Sequence, residues 1–230
     1  MATKVELFYD VLSPYSWFAF ETLCRYRGPW NLDLYFRPFF LGGLMNLAGN
    51  KPPMTVPNKA QYMQHDLQRG AEYFKVPLRN ISDPVKTLFE KGSLPAMRFV
   101  TAVAKEKPTF VEEVSRQFWW RLWHHDEDIT EAESFKEVGE RAGLSKEDIQ
   151  QCLEMLKTTA VKEKLKKETE YAYEKGAFGS PYIIAHANGE EHCFFGSDRF
   201  PILAMVLKKK WIGPDPLSPS ELDGSMTSKL

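Results

Sequence analysis

Residues 5–10 carry an apolar and aromatic run, with Val5, Leu7, Phe8 and Tyr9 ahead of Ser13-Pro14, and read as a buried strand. The period then changes. Trp17, Phe20, Leu23 and Cys24 fall on one face at helical spacing between Pro14 and Arg27, with Gly28-Pro29 as the stop. Leu32, Leu34 and Phe36 alternate with Asp33, Tyr35 and Arg37, which is a second strand. Strand, helix and strand within about 30 residues make a βαβ unit with an expected right-handed crossover.

Residues 58–176 have helical periodicity nearly throughout, enough for about six helices. Asp83-Pro84 reads as an N-cap followed by proline at the first helical position, and Thr130-Glu131-Ala132-Glu133 fits a capping box. Ser145 with Asp148 is a weaker cap signal. Gly92, Pro108, Gly143 and Gly176 punctuate the block. Alternation returns at residues 182–187 and 192–195 across Asn188-Gly189, a dipeptide that suits a type I′ hairpin turn. A last helix is expected from Gly196-Ser197-Asp198 to about Lys209, capped by Ser197 or Asp198. The order β-α-β, helical block, β-β-α predicts an α/β, thioredoxin-like fold interrupted by an all-helical insertion. Its units are residues 1–57 with 177–212, the insertion 58–176, and an exposed tail, 213–230. Sequential helical and β domains would leave the hairpin without a sheet to join.

Composition narrows the function classes. Thirty basic against 31 acidic residues give a net charge of −1, so no long-range field favours nucleic acid or an anionic membrane. The apolar stretches are too short to span a bilayer. Cys24, Cys152 and Cys193 show no Cys-x-x-Cys or zinc-ligand spacing, which excludes a disulfide scaffold and leaves a reduced compartment as the expectation. No N-terminal targeting segment is expected, because strand-like residues begin almost at once. The other end carries Ser228-Lys229-Leu230, the tripeptide read by the peroxisomal import receptor, so peroxisomal import is expected ahead of the mitochondrial matrix or cytosol.

In redox proteins of the thioredoxin plan the first helix opens on Cys-x-x-Cys, because a helix N-terminus stabilises a thiolate. Here the four residues are Ser13-Pro14-Tyr15-Ser16, which cannot cycle through a disulfide. As residue types alone, Ser13 and Pro14 are also an ordinary N-cap and first helical residue. Gly179-Ser180-Pro181 falls where the plan puts a cis-proline facing the first helix; an ordinary trans proline opening a strand is the alternative. A cis bond there would let the backbone of Ser180 pair with an extended peptide.

The run Val5-Glu6-Leu7-Phe8-Tyr9-Asp10-Val11-Leu12-Ser13-Pro14-Tyr15-Ser16-Trp17 resembles the signature of the kappa-class glutathione S-transferases. Further matches, in order, are Gly49-Asn50-Lys51-Pro52-Pro53, Tyr62-Met63 with Asp66-Leu67, Lys91-Gly92-Ser93-Leu94, Glu127-Asp128-Ile129-Thr130, Gly176-Ala177-Phe178-Gly179 and Phe195-Gly196-Ser197-Asp198-Arg199. The resemblance implies a thioredoxin-like domain with a helical insertion, related to bacterial disulfide oxidoreductases and hydroxychromene carboxylate isomerases. It also implies a homodimer at a mitochondrial or peroxisomal address. Carried over, Ser13 matches the catalytic serine that hydrogen-bonds the glutathione sulfur. Pro14, Tyr15 and Asn50 match residues along the ligand, and Ser197 and Asp198 match the pair that holds its γ-glutamyl end. Ser180, before Pro181, matches the residue whose backbone pairs with the cysteinyl part; it is a leucine in some members, so the backbone role alone carries over.

The resulting expectation is a glutathione transferase with no permanently bound cofactor and no metal. Glutathione is its co-substrate, and a hydrophobic electrophile or organic hydroperoxide the acceptor. Ser13 is a donor to the thiolate, not a nucleophile. The alternatives are a glutathione-dependent isomerase of the hydroxychromene carboxylate type and a non-catalytic thioredoxin-like module that grips extended peptides. Other features are read as structural. His124-His125-Asp126-Glu127-Asp128 is a solvated helix end, since adjacent helical residues point apart. Phe118-Trp119-Trp120 with Trp123 is core or interface ahead of acceptor pocket. Leu41-Gly42-Gly43 is a loop, Lys208-Lys209-Lys210 a helix C-terminus, and Cys193 a buried strand residue. His65 and His186 receive no role.

Overall fold

Alternation along β1 (Thr3–Tyr9) separates two faces, and both are covered. In this computed structural model, which describes residues 2–216, β1 lies between β2 (Leu32–Pro38) and β3 (Tyr182–Ala187), with β4 (Glu190–Phe195) beyond β3. β1 runs parallel to β2 and antiparallel to β3, with Leu7 opposite Ile183 and Phe8 opposite Tyr182; β3 and β4 are antiparallel. A central strand covered on both faces is buried from Val5 to Tyr9, which is why Leu7, Phe8 and Tyr9 follow one another without polar alternation. The connection is the positive-φ pair Asn188-Gly189, at 55° and 82°, as the turn residues require.

Val5, Leu7 and Tyr9 join Ile183 and Ala185 under α1 (Pro14–Tyr26) and α9 (Phe200–Leu207), which contribute Trp17, Phe20, Leu23, Phe200 and Leu203. On the other face Phe8, Tyr182 and Ile184 pack with Leu44 of α2 (Leu41–Leu47). Ala172 of α8 (Thr159–Glu174) completes that layer. Glu6 lies on the second face with its side chain 1% exposed, bonded to Arg37, His186 and Lys4 at 2.6–2.7 Å. Burial alone would raise its carboxyl, but the bonds to Lys4, His186 and Arg37 outweigh that and hold it at about 2.

Between β2 and β3 run six further α-helices besides α2, counting α8. They are α3 (Pro57–Phe74), α4 (Leu94–Glu106), α5 (Val111–Trp119), α6 (Ala132–Arg141), α7 (Lys146–Met155) and α8. Asp83 caps the turn ahead of α4, its Oδ1 accepting from the Lys86 amide at 3.0 Å. Ser145 caps α7, accepting from the Asp148 amide at 3.1 Å.

Three expectations are corrected. Leu41-Gly42-Gly43 opens helix α2 instead of a loop; a Cβ on Gly42 would meet the Phe40 ring at 2.8 Å, so packing against that ring explains the glycine. Thr130 forms no capping box. The Asp128 carboxylate instead takes the amides of Thr130 and Glu131 at 2.7 and 3.0 Å. The last helix starts at Phe200, not at Ser197, and Arg199 occupies its cap position without a side-chain bond. Ser197 and Asp198 sit in the preceding turn, where Gly196 has φ +101°; Pro201 fills the second helical position, whose N–H would be unpaired anyway.

Candidate active site

Where β1 ends, Asp10 turns the chain and its carbonyl accepts the Ser13 amide at 3.0 Å. Ser13 is extended (φ −83°, ψ 115°) and caps α1, its Oγ accepting the Ser16 amide at 3.1 Å, with Pro14 next. Pro14 has no N–H and that of Ser16 is taken, so the Tyr15 amide is the helix-end donor left for a ligand. The Ser13 hydroxyl also donates to the Ser180 carbonyl at 3.3 Å, long for an O–H···O bond, so its proton is loosely held. The Ser180-Pro181 peptide bond is cis, and the Ser16 and Ser180 hydroxyls are 2.5 Å apart. The loop is gripped from the insertion as well. Trp119 Nε1 donates to the Ser13 carbonyl at 3.2 Å, and the Val11 amide donates to Met97 Sδ at 3.4 Å.

Two adjoining cavities meet at this point. One, of about 460 Å³, is lined by Ser13, Pro14, Tyr15, Asn50 and Ser180, with Lys51 and Lys59 and an apolar wall that includes Met54, Met63, Leu88, Phe89 and Trp123. The other, of about 570 Å³, is lined by Ser180, Pro181, Ser197, Asp198, Asp66 and Arg69. Tyr15, Ser180 and Phe195 line both, and the eight residues expected at the site are divided between these two adjoining cavities, which together make a groove that turns at Ser180. Asn50 Nδ2 donates to the Phe178 carbonyl at 2.7 Å, tying the end of α2 to the segment before Ser180. Asp198 is open to solvent and paired with Arg199 at 2.8 Å.

Sequence reasoning missed several lining groups. The Tyr15 hydroxyl donates to Asp66 at 2.8 Å, and that of Tyr62 to the same carboxylate at 3.1 Å. Burial and the Asp66 carboxylate push the Tyr15 phenol far up, so it stays protonated and its hydroxyl is spent on Asp66. Tyr62 and Asp66 are four apart on α3, so their shared face was available from spacing. Lys51 and Lys59 bring positive charge to the cavity that Ser13 lines. Phe118 and Trp119 are core; the Trp119 ring lies 5.4 Å from Tyr9 and 4.8 Å from Phe20, while Trp123 reaches the first cavity. Cys193 is exposed, contrary to expectation, because β4 is the sheet edge. None of Cys24, Cys152 and Cys193 lines either cavity, so a thiolate at Ser13 has to arrive on a ligand. Ser228, Lys229 and Leu230 lie outside the described residues. No helix among the described residues is long and apolar enough to cross a membrane.

Residues 4–208 match the DSBA-like thioredoxin domain. The chain is 49% identical over 212 residues to glutathione S-transferase kappa 1 of Homo sapiens, covering 92% of this chain and 94% of that one. It is 25% identical to the 2-hydroxychromene-2-carboxylate isomerase of Sphingobium xenophagum, over 90% of this chain and 99% of that one. A solved 2-hydroxychromene-2-carboxylate isomerase shares the fold, with a TM-score of 0.72 at 19% identity over 98% of this chain and 100% of that one. A thioredoxin fold with serine in place of the dithiol, matched along nearly its whole length by kappa-class enzymes, is what the geometry and the comparisons have in common. The chain belongs to the kappa class of glutathione S-transferases and is an enzyme of that class.

Proposed function

We propose that glutathione lies along the bent groove with its sulfur at Ser13, and that its thiolate attacks an electrophile held in the apolar end of the cavity. The observation that carries this reading is the loosely held Ser13 hydroxyl on a helix N-terminus, facing the Ser180 backbone in a groove without a cysteine. The γ-glutamyl end, with its ammonium, runs toward Ser197 and Asp198, and the glycyl end toward Asn50 and Lys51. The Ser180 backbone pairs with the cysteinyl unit beside Pro181, and Pro14 and Tyr15 flank the sulfur.

Magnitudes support a serine without a base. Lowering a thiol pKa by two units takes about 2.7 kcal/mol of preference for the thiolate. A helix N-terminus supplies up to about 2 kcal/mol. A hydrogen bond to a charged acceptor supplies about 1.5–3 kcal/mol more. In conjugation the sulfur lone pair forms the new bond to carbon while halide departs from an activated aromatic. With a hydroperoxide the thiolate attacks the outer oxygen, releasing the alcohol and a sulfenic acid, which a second glutathione converts to disulfide and water.

The same reading makes residues 1–57 and 177–212 the glutathione-binding unit and 58–176 the insertion that walls the acceptor. We read the chain as a homodimer, supported by exposed apolar side chains on α3 and α9, among them Tyr73, Ile202 and Met205. We read Ser228-Lys229-Leu230 as a peroxisomal address, a compartment that suits the reduction of lipid hydroperoxides. Similarity to hydroxychromene carboxylate isomerases favours a second reading, reversible addition of the same thiolate. Incubation with glutathione and a halonitroaromatic or an alkyl hydroperoxide separates the two. Stoichiometric loss of glutathione is expected. Turnover of a hydroxychromene carboxylate with glutathione unconsumed, and none of the other two, would replace transfer by isomerisation.

A further inference from the structure

The chemistry above makes no use of Asp10, whose side chain is wholly buried at the end of β1. Its Oδ1 accepts the Leu12 amide at 2.9 Å. Its Oδ2 accepts the Leu41 amide and the Ser93 hydroxyl, each at 2.8 Å. The three donors belong to the loop that presents Ser13, to the first residue of α2, which walls the Ser13 cavity, and to the residue before α4. Two backbone amides on opposite oxygens require a group that accepts on both; an asparagine would turn an N–H toward one of them.

No basic side chain among the described residues bonds Asp10. Despite its three donors, burial pushes its carboxyl up to about 6. The groups facing it are Tyr9 and Leu12 along its own segment, Leu41 from α2 and Ser93 from the start of α4. Of these Tyr9 alone titrates, and its phenol, bonded to Ser115 at 2.6 Å, is pushed far up by burial and stays neutral. A buried carboxylate ionised at neutral pH without a cation costs the fold stability, so its benefit lies elsewhere.

We propose that Asp10 is a positioning residue for glutathione activation: by clamping the Leu12 amide, the Leu41 amide and the Ser93 hydroxyl onto one carboxylate, it fixes the Ser13 loop against the α2 wall and so sets where the Ser13 hydroxyl meets the thiolate. It rests on the reading of Ser13 given above. The test compares Asp10→Asn, Ser93→Ala and Ser13→Ala with the unaltered protein, following glutathione thiolate absorbance against pH together with kcat and KM. Asp10→Asn is expected to keep KM for glutathione within about threefold, to lower kcat roughly tenfold, and to raise the bound thiol pKa by about one unit. As pH falls through about 6 the unaltered protein loses kcat more steeply than the one-proton slope of Asp10→Asn, and the two profiles converge once Asp10 is protonated. Ser93→Ala moves kcat and thiol pKa the same way by less, and decides the matter should Asp10→Asn fail to fold.

An Asp10→Asn, or in its place a Ser93→Ala, that changes the melting temperature while leaving kcat and thiol pKa untouched overturns the proposal. A Ser13→Ala that keeps the thiolate overturns the reading of Ser13 and this proposal with it. Loss in Ser13→Ala beside full retention in Asp10→Asn overturns the proposal alone.

Discussion

Glu6 and Asp10 are both buried carboxylates, one within β1 and one at its end, and their surroundings are opposite in kind. Glu6 meets Arg37, His186 and Lys4 and is held at about 2; Asp10 meets two amides and a hydroxyl and is pushed up to about 6. A buried charge with cationic partners is compensated where it sits and is costly to disrupt, whereas one with neutral donors alone is carried at a cost. The middle of the strand is therefore built for stability. Its end, which leads into Ser13, is built for geometry.

The largest effect that would break this contrast comes from Glu6. Glu6→Ala removes three charge-assisted bonds at once, leaving Arg37 with Glu168 at 3.4 Å and His186 with Glu191 at 4.0 Å, and should cost about 3–5 kcal/mol in denaturant unfolding, with kcat of the surviving folded protein little changed. Equal losses of stability and kcat would erase the distinction between strand and strand end. Ser13→Ala should lower kcat about 10²–10³-fold, the effect of removing one preorganised donor to developing charge. Loss of its cap should cost only about 1 kcal/mol of stability, and steady-state kinetics beside thermal melts read both quantities.

Asp198, open to solvent, is proposed to act in recognition. Asp198→Ala should raise KM for glutathione roughly tenfold and leave kcat within about twofold, the signature of a contact made equally in ground and transition states. A drop in kcat instead would move the γ-glutamyl end into the chemistry. The smallest effect is a difference in pH dependence. The folded pKa of Asp10 lies above its unfolded value near 3.8, so the folded state binds the extra proton. Its cost is full above about pH 6 and relieved as pH falls toward 4; stability relative to Asp10→Asn should rise over that window. For Glu6 the sign reverses. Its contribution is present above the unfolded value near 4.5 and is lost as pH falls toward 2, so Glu6→Gln should flatten the acid limb of the unfolding curve.

What the sequence disclosed followed the range of the interactions. The strands at Val5 and Leu32, the Asn188-Gly189 turn and the Ser13-Pro14 helix start are set by residues a few positions apart, and all stand where the periodicity puts them. Ser180-Pro181 was legible through topology, since its place before the hairpin mattered more than its residue types. Helix α2 was hidden because two of its first three residues are glycines, poor helix formers whose presence answers to the Phe40 ring. Ser197 and Asp198 have the look of a cap, yet the helix waits for Phe200. Asp10 was invisible as a hub because two of its donors, Leu41 and Ser93, are 31 and 83 residues away. Lys51, Tyr62 and Asp66 stood within segments that match the kappa class, and only packing reveals that they border one groove.

The central claim is that Ser13 holds a glutathione thiolate. Its most direct test is the ultraviolet difference spectrum of the protein with saturating glutathione, titrated from about pH 5 to 9. A thiolate band with a midpoint about two units below that of free glutathione, absent in Ser13→Ala although glutathione still binds, is the expected result. Glutathione bound as the neutral thiol across that range, or a band unchanged in Ser13→Ala, would contradict it.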